Sequence, residues 1–518
     1  MSRRIGFAAL IWAVGIFLSR IIGLVREAVF GRVVGGGSDA DVYWAAFTLP
    51  DFLNYLLAAG ALSIVFIPIF GGHFARGDED EAWGAFSSIS TFVVGLLIVV
   101  TGVGWFVVPS FNAWWFAGFD ADAQVQLNAL TRIVLPAQIF HVLGGMLSAA
   151  LQARDRHTLP AMAPLIYTGS IIAGGLVGVY LGDTGAWGFA WGVLVGSVLG
   201  PFALPLIGCL RMGMRWRPRF DWSDDLRDYL WRSLPIMLAF SIVMWDDWIL
   251  KGESASMAEG SLSTLTYAKT LMKVPMGVFG LALGAAAFPT LTRLMAEGKR
   301  GEAYETLAKS LKRMLVLALA AQVGLTAAGP EVAEVVYGSR LLPGQHAAIG
   351  TAVGLMCLGL WAWASQTVVA RGFYAMGRTW LPSLLGSAVV LVAYPIYWYF
   401  GQTWGTAGLA GASAIAISLY VLVLGVALRR VVPEGRDGYL GYALRMSMPL
   451  ALGLGVGVMI RWVDIQHLVH LPSPLGALIQ GGVYGCVAIT VFAGATLLFR
   501  VREVTEVVGI IRRKVLRR

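Results

Sequence analysis

Two arginines lie in the first apolar segment of the chain, within Ser19-Arg20-Ile-Ile-Gly-Leu-Val-Arg26-Glu27. The residues from Ile5 to Leu18 are almost all apolar, so both charges fall on the same predicted helix and not in a loop. A charge at the centre of a bilayer costs about 2.5–3.5 kcal/mol on insertion scales, and such residues usually face a cavity or a partner. We therefore expect Arg20 and Arg26 to line a cavity for an anionic ligand, with Glu27 beside them. The alternative is an arginine–glutamate pair that neutralises itself, which still leaves one arginine without an anion.

The second apolar segment combines a proline with polar side chains. Pro50 has no backbone N–H and should interrupt the helix, as is common in helices that line a substrate path. Asp51 and Asn54 are one turn apart, and we expect both to face the interior. Asp41 either faces the cavity too or caps the helix at the outer interface, and both interpretations stay open.

The eighth apolar segment carries two lysines four residues apart, Lys269 and Lys273, which must stack on one helical face. Two stacked ammonium groups repel each other unless an anion lies between them, and a diphosphate would suit them. The alternative is that they extend to the membrane surface. In the seventh segment, Asp246 and Asp247 could bind a coupling cation, pair with the lysines, or form a hydrated interfacial pair.

The composition indicates a membrane protein. Hydrophobic residues make up 57% of the chain and charged residues only 13%, whereas a soluble domain has about 25% charged residues. Apolar runs of about twenty residues recur from end to end, each long enough to cross the hydrocarbon layer as a helix. We expect an all-α polytopic membrane protein with about fourteen transmembrane helices.

Nothing in the sequence predicts an enzyme. The segments between the apolar runs are short, and they leave no room for a soluble catalytic domain. Gly372–Thr379 looks like a phosphate-binding loop, but no strand precedes it, so ATP hydrolysis is not expected. Cys209, Cys357 and Cys486 fall in apolar runs and are interpreted as packing residues. We expect no cofactor and no metal centre.

The net charge of +9 is unevenly distributed. Arginines and lysines concentrate in alternate loops, including an arginine cluster at residues 211–227, and in the tail at 512–518. By the positive-inside rule, these loops and both termini are expected in the cytoplasm. The tail should contact anionic lipid headgroups, and nucleic acid is not an expected partner.

The chain repeats itself at an offset of about 221 residues. Pro68–Trp83 is similar to Pro289–Tyr304, and Arg156–Pro160 is similar to Arg378–Pro382. Six helices fit into this spacing, so both halves enter the membrane in the same direction, and parallel repeats place the substrate site between the halves. We expect two parallel six-helix lobes around a central cavity, followed by two extra helices. The expected boundaries are 1–220, 221–432 and 433–518.

Several of these segments resemble the MurJ (MviN) family: Ser19–Glu27, Asp41–Pro50, Gly60–Pro68, residues 159–164 and residues 267–289. The resemblance covers essentially the whole chain. It implies the multidrug/oligosaccharidyl-lipid/polysaccharide exporter fold in the bacterial cytoplasmic (inner) membrane. It also implies flipping of lipid II, the undecaprenyl-diphosphate-linked peptidoglycan precursor, by a chain that works as a monomer.

The resemblance carries over to individual residues, with departures. Family cavity arginines match Arg20 and Arg26, and the family acid of the second helix matches Asp41. Two further cavity arginines fall on Asn54 and on Thr270, so we expect Lys269 and Lys273 to replace them. A family sodium site would match Asp246 or Asp247, but its acidic partner is missing from residues 381–400, which argues against sodium coupling.

Three other functions compete with this interpretation. A flippase for another polyprenyl-diphosphate-linked glycan is the nearest, because two cavity arginines are replaced. A drug/cation antiporter would favour an acidic cavity over a cationic one. A membrane glycan ligase would need a sizeable outer loop.

Overall fold

The computed structural model describes residues 2–58, 65–182, 185–238, 242–378, 380–432, 439–463, 473–499, 501 and 504. Within these ranges the regular structure is helical and contains no β-strand. The expected all-α class is confirmed.

The chain divides into two compact units. Unit 1 comprises Met1–Ala239 and Ala258–Ser263, and unit 2 comprises Phe240–Met257 and Thr264–Arg518. The three-part division at residues 220 and 432 stays a prediction.

Unit 1 contains the first eleven helices. They are α1 (Ser2–Val33), α2 (Ser38–Ala46), α3 (Thr48–Ala58), α4 (Ile67–Arg76), α5 (Glu79–Trp115), α6 (Ala121–Val134), α7 (Ala137–Ala153), α8 (Thr158–Tyr180), α9 (Ala186–Ser197), α10 (Leu204–Arg211) and α11 (Asp224–Leu238). A π-helical segment, Val198–Ala203, joins α9 to α10.

Unit 2 contains the remaining helices. They are α12 (Ile242–Ser254), α13 (Ser261–Ala296), α14 (Arg300–Tyr337), α15 (Gln345–Cys357), α16 (Leu360–Ala375), α17 (Leu381–Val431), α18 (Tyr439–Met459) and α19 (Leu475–Leu498). The first three residues of α13 pack in unit 1. The long α17 is two helices joined at Gly405, whose φ of 57° breaks the helical path.

Eight helical segments in the described part of the chain are long and apolar enough to cross a membrane, and α15 with α16, bent by 46°, makes up to nine. The eight segments are Glu79–Trp115, Ala121–Ala153, Thr158–Tyr180, Ala186–Arg211, Arg300–Tyr337, Leu381–Val431, Gly441–Trp462 and Leu475–Leu498. The polytopic class is therefore confirmed. The count of about fourteen stays a prediction.

The second apolar segment is broken, as its proline predicts. Helix α2 ends at Ala46 and α3 begins at Thr48, with Phe47 between them. Pro50 has no N–H to donate to the Ala46 carbonyl, so the hydrogen-bond ladder is interrupted at this point.

The internal duplication is visible in the turns. Gly77 and Gly298, 221 residues apart, are both left-handed, with φ of 87° and 75°. The next amide donates to the carbonyl five residues back, at 3.1 and 2.9 Å, as in a Schellman motif. Asp155 and Gly377 form the second such pair, with φ of 56° and 74°. The matching sequence segments thus end helices with the same geometry.

Two kinds of packing hold unit 1. An aromatic cluster that includes Phe66, Phe70, Trp83 and Phe86 joins α4 to α5. Helices α8 and α9 approach through glycines, because a Cβ on Gly174 would lie 2.5 Å from the Gly188 carbonyl oxygen. Small residues allow such close approach in membrane helices.

Candidate functional site

In unit 1, the charges of α1 separate into a pair and a single cation. Arg26 donates from Nη2 to Glu27 Oε1, and the side chains are 27% and 5% exposed. Arg20 is exposed and forms no ion pair with any described residue. The pair satisfies one arginine and leaves the other available to an anion.

The Arg26–Glu27 pair keeps unused hydrogen-bonding capacity. Glu27 Oε2 is buried and has no hydrogen-bond partner among the described residues. A guanidinium has five N–H donors, and the bond to Glu27 uses one of them. The remaining donors suit bidentate binding of phosphate oxygens.

Two tyrosines lie near this pair, and sequence reasoning did not identify either as a site residue. Tyr43 of α2 and Tyr167 of α8 lie within electrostatic reach of Arg26. The Tyr167 ring also meets the His141 ring edge to face, with centroids 4.8 Å apart. An aromatic residue in an apolar helix usually belongs to the core, so the sequence carries no signal that separates these two from the other tyrosines.

On α3, Asp51 is exposed and Asn54 is partly exposed. Asp51 lies within electrostatic reach of Tyr167. Arg26 of α1 and Asp51 of α3 therefore both lie within electrostatic reach of Tyr167 on α8.

Asp41 binds backbone amides. It is 4% exposed, and its two carboxylate oxygens accept from the amides of Gly260 at 2.8 Å and Ser263 at 2.6 Å. The Ser263 hydroxyl donates to the Gly36 carbonyl at 2.8 Å. A carboxylate at this position satisfies free amides and complements the helix dipole. Asp41 thus caps the start of α13 in addition to its place in the first turn of α2.

In unit 2, Lys269 is enclosed by carboxylates. It is 4% exposed, and its ammonium group pairs with both Asp246 and Asp247 of α12. Tyr397 of α17 donates its hydroxyl to Asp246 Oδ1. The Trp363 ring of α16 lies 5.4 Å from Lys269 Nζ. Four helices therefore enclose one ion-pair cluster.

Lys273 occupies the exposed edge of the same cluster. Its Nζ lies 3.8 Å from Asp247 Oδ2, and the two side chains are 40% and 37% exposed. Asp247 lies between the two lysines, where a stacked pair of ammonium groups needs an anion. Two lysines and two aspartates balance in charge, but only the Lys273–Asp247 edge is accessible.

Each unit, taken by itself, presents cations that suit binding of an anion. Unit 1 presents Arg20 and Arg26, and unit 2 presents Lys273. Arginine matches the geometry of phosphate oxygens, and lysine acts as a mobile point charge. Asp246 and Asp247 both face Lys269, and Asp247 also faces Lys273.

The helices that are long and apolar enough to span a membrane define a polytopic membrane protein. The fold is similar to "Inward-facing conformation of a multidrug resistance MATE family transporter of the MOP superfamily", with a TM-score of 0.67, 16% identity, and coverage of 81% of this chain and 98% of that one. It is also similar to "Lipid II flippase MurJ, inward closed conformation", with a TM-score of 0.77, 20% identity, and coverage of 95% and 99%. At these identities the likeness shows the fold alone.

The sequence identifies the family. Residues 30–470 match the sequence model described as "Lipid II flippase MurJ". The chain is 27% identical over 498 residues to the "Probable lipid II flippase MurJ" of Rhizobium tropici, covering 92% of this chain and 90% of the relative. This chain belongs to the MurJ lipid II flippase family.

Proposed function

We propose that this chain is a lipid II flippase. It moves the undecaprenyl-diphosphate-linked peptidoglycan precursor from the inner to the outer leaflet of the bacterial cytoplasmic membrane. The observation that carries the proposal is the family match over residues 30–470. The accessible cations on apolar helices support it independently, because a lipid-linked diphosphate is an anion that must pass through the membrane.

In unit 1, Arg20 and Arg26 bind diphosphate oxygens. Arg20 has no ion pair among the described residues, and Arg26 keeps unused donors. Glu27 holds Arg26 in position. Asp51 and Asn54 contact the sugar or orient the arginines.

In unit 2, the two lysines have different roles. Lys269 is held between two carboxylates, so it positions the cluster without touching the substrate. Lys273 is accessible, and its 3.8 Å pair with Asp247 is loose. Asp247 thus acts as a resident anion that the diphosphate displaces from Lys273.

The membrane potential drives the movement. With both termini in the cytoplasm, the substrate anion moves outward, down an inside-negative potential worth about 2.3 kcal/mol per charge per 100 mV. At a potential of about 100 mV, outward movement of a diphosphate with about two charges is therefore favoured by roughly 4–5 kcal/mol. The transporter therefore needs neither ATP nor a catalytic step. It works as a monomer, by alternating access.

The decisive experiment is complementation of bacteria depleted of their own lipid II flippase, with lipid II translocation measured directly. The unmodified chain should restore growth and translocation. Arg26→Ala should abolish both at unchanged expression, since it removes a diphosphate ligand. The matched control is Arg378→Gln, which removes one exposed arginine from the turn before α17 and should leave both intact.

The substrate itself is tested by the same cells. A well-expressed chain that neither restores growth nor translocates lipid II would overturn the assignment. Translocation of another polyprenyl-diphosphate glycan in that case would identify the alternative substrate.

A further inference from the structure

An extended segment on the surface of unit 1 is unusually rich in arginine and exposed aromatic side chains. Residues 214–223, which we call the strap, follow α10 and precede α11 without regular secondary structure. Phe220 is 91% exposed and Trp222 is 67% exposed. Large aromatic surfaces held next to cations usually mark a binding surface.

The strap is fixed in place by hydroxyl groups of α5. The amides of Arg217 and Arg219 donate to Ser87 Oγ and Thr91 Oγ1, both at 3.2 Å. The Trp216 indole donates to Ser90 Oγ at 3.0 Å. Alternate amides face the helix, as expected of an extended chain. This ladder fixes the backbone, so the outward direction of the other side chains is determined.

The strap crosses α5 at the level where that helix changes from polar to apolar. Helix α5 begins with Glu79-Asp-Glu and is apolar without interruption from Phe92 to Val100. The Trp222 ring meets the Phe92 ring edge to face, with centroids 6.3 Å apart. Aromatic side chains at such a boundary are typical of the membrane–water interface.

Three arginines in and beside the strap are exposed and form no ion pair within the described part of the chain. Arg217 lies in the strap, Arg211 lies in the last turn of α10, and Arg227 lies in α11. None of them forms an ion pair with a described residue, whereas Arg215 pairs with Asp80. An anionic surface with an apolar layer beneath it complements this combination.

We propose that the strap, together with the end of α10 and the start of α11 that flank it, is a binding surface for the headgroups of anionic phospholipids. Arg211, Arg217 and Arg227 contact the lipid phosphates, and Phe220 and Trp222 lie at the boundary between headgroups and acyl chains. The surface anchors the segment between α10 and α11 to the cytoplasmic leaflet. It does not depend on which substrate the protein moves.

The test measures lipid retained by the full chain. The protein is incorporated in vesicles of equal parts phosphatidylglycerol and phosphatidylcholine with the same acyl chains, extracted in mild detergent, and analysed by mass spectrometry. The variant Arg211→Gln/Arg217→Gln/Arg227→Gln should lower the retained ratio of phosphatidylglycerol to phosphatidylcholine. Each arginine near an anionic surface contributes about fivefold, so we expect a loss of more than about tenfold.

The matched control is Arg293→Gln/Arg300→Gln/Arg378→Gln, which removes the same charge from exposed positions of unit 2. Its retained ratio should stay within about twofold of the unmodified chain, since these positions belong neither to the strap nor to the helices α10 and α11 that flank it. An equal loss in both triple variants would attribute retention to overall charge and overturn the proposal. No loss in either would overturn it too.

Two further measurements separate the alternatives. Phe220→Ser/Trp222→Ser changes exposed side chains without changing charge, and it should also lower retention while gel filtration and circular dichroism stay normal. Unchanged retention in this variant would refute the aromatic part of the surface. If the arginine variant kept phosphatidylglycerol but lost binding of undecaprenyl diphosphate, the arginines would serve the lipid-linked substrate and not the phospholipid.

Discussion

Replacement of Lys269 by methionine should destabilise the protein, whereas the same replacement of Lys273 should not. The Lys269 and Asp246 side chains are 5% and 2% exposed, so Lys269→Met leaves a buried carboxylate without a cation. Removing one partner of such a pair costs about 3–5 kcal/mol. The Lys273–Asp247 pair is more than a third exposed at 3.8 Å, and a pair of this kind contributes about 0–1 kcal/mol.

The difference is large enough to measure by thermal unfolding in detergent. A domain of this size shifts by about 2–4 °C per kcal/mol, so Lys269→Met should lower the midpoint by about 10 °C. Lys273→Met should shift it by less than about 4 °C. In the complementation assay Lys273→Met should nevertheless lose lipid II translocation, because it removes the accessible cation of the unit 2 cluster.

A compensating variant checks the cause. Lys269→Met/Asp246→Asn removes both charges and keeps an acceptor for the Tyr397 hydroxyl. It should therefore recover more than half of the decrease in unfolding temperature that Lys269→Met causes. Equal midpoints for the two single lysine variants would refute the distinction between a buried and an accessible lysine. Failure of the double variant to recover would show that packing, and not charge, caused the loss.

Three more perturbations have defined outcomes. Asp41→Ala should lower the unfolding free energy by about 1–2 kcal/mol and speed amide hydrogen exchange at the start of α13, and unchanged exchange would contradict the cap. Tyr397→Phe removes a hydrogen bond to buried Asp246 and should cost about 1.5–3 kcal/mol by thermal unfolding; a neutral result would show that Asp246 finds another donor. Gly174→Ala places a Cβ 2.5 Å from a carbonyl oxygen of α9 and should destabilise by more than about 1 kcal/mol, whereas Gly169→Ala in the same helix meets no atom within 4 Å and should be neutral or stabilising.

Composition and local chemistry predicted the class of protein. Apolar runs of membrane-spanning length need no tertiary information, because a helix is the way a single segment satisfies its own backbone in lipid. Pro50 predicted the break between α2 and α3 for a similar reason, since a missing N–H acts locally. The internal duplication could also be predicted from the sequence, because Gly77 and Gly298 mark turns with a positive φ that only a few residue types adopt easily.

The site was predictable as a set of charges but not as a set of pairings. The sequence suggested that an anion must separate Lys269 from Lys273, and Asp247 was among the candidates. It could not show that Lys269 is enclosed while Lys273 is accessible, because Asp246, Trp363 and Tyr397 come from three other helices.

The sequence by itself determined that this is a membrane transporter with cations on its apolar helices and a preference for an anion. Only the tertiary structure decided which cations remain available. Asp41 binds amides 219 and 222 residues away, and Tyr397 reaches an aspartate 151 residues away. The reason is physical: the free energy of a buried charge depends on the groups that enclose it, and packing brings those groups from distant parts of the chain.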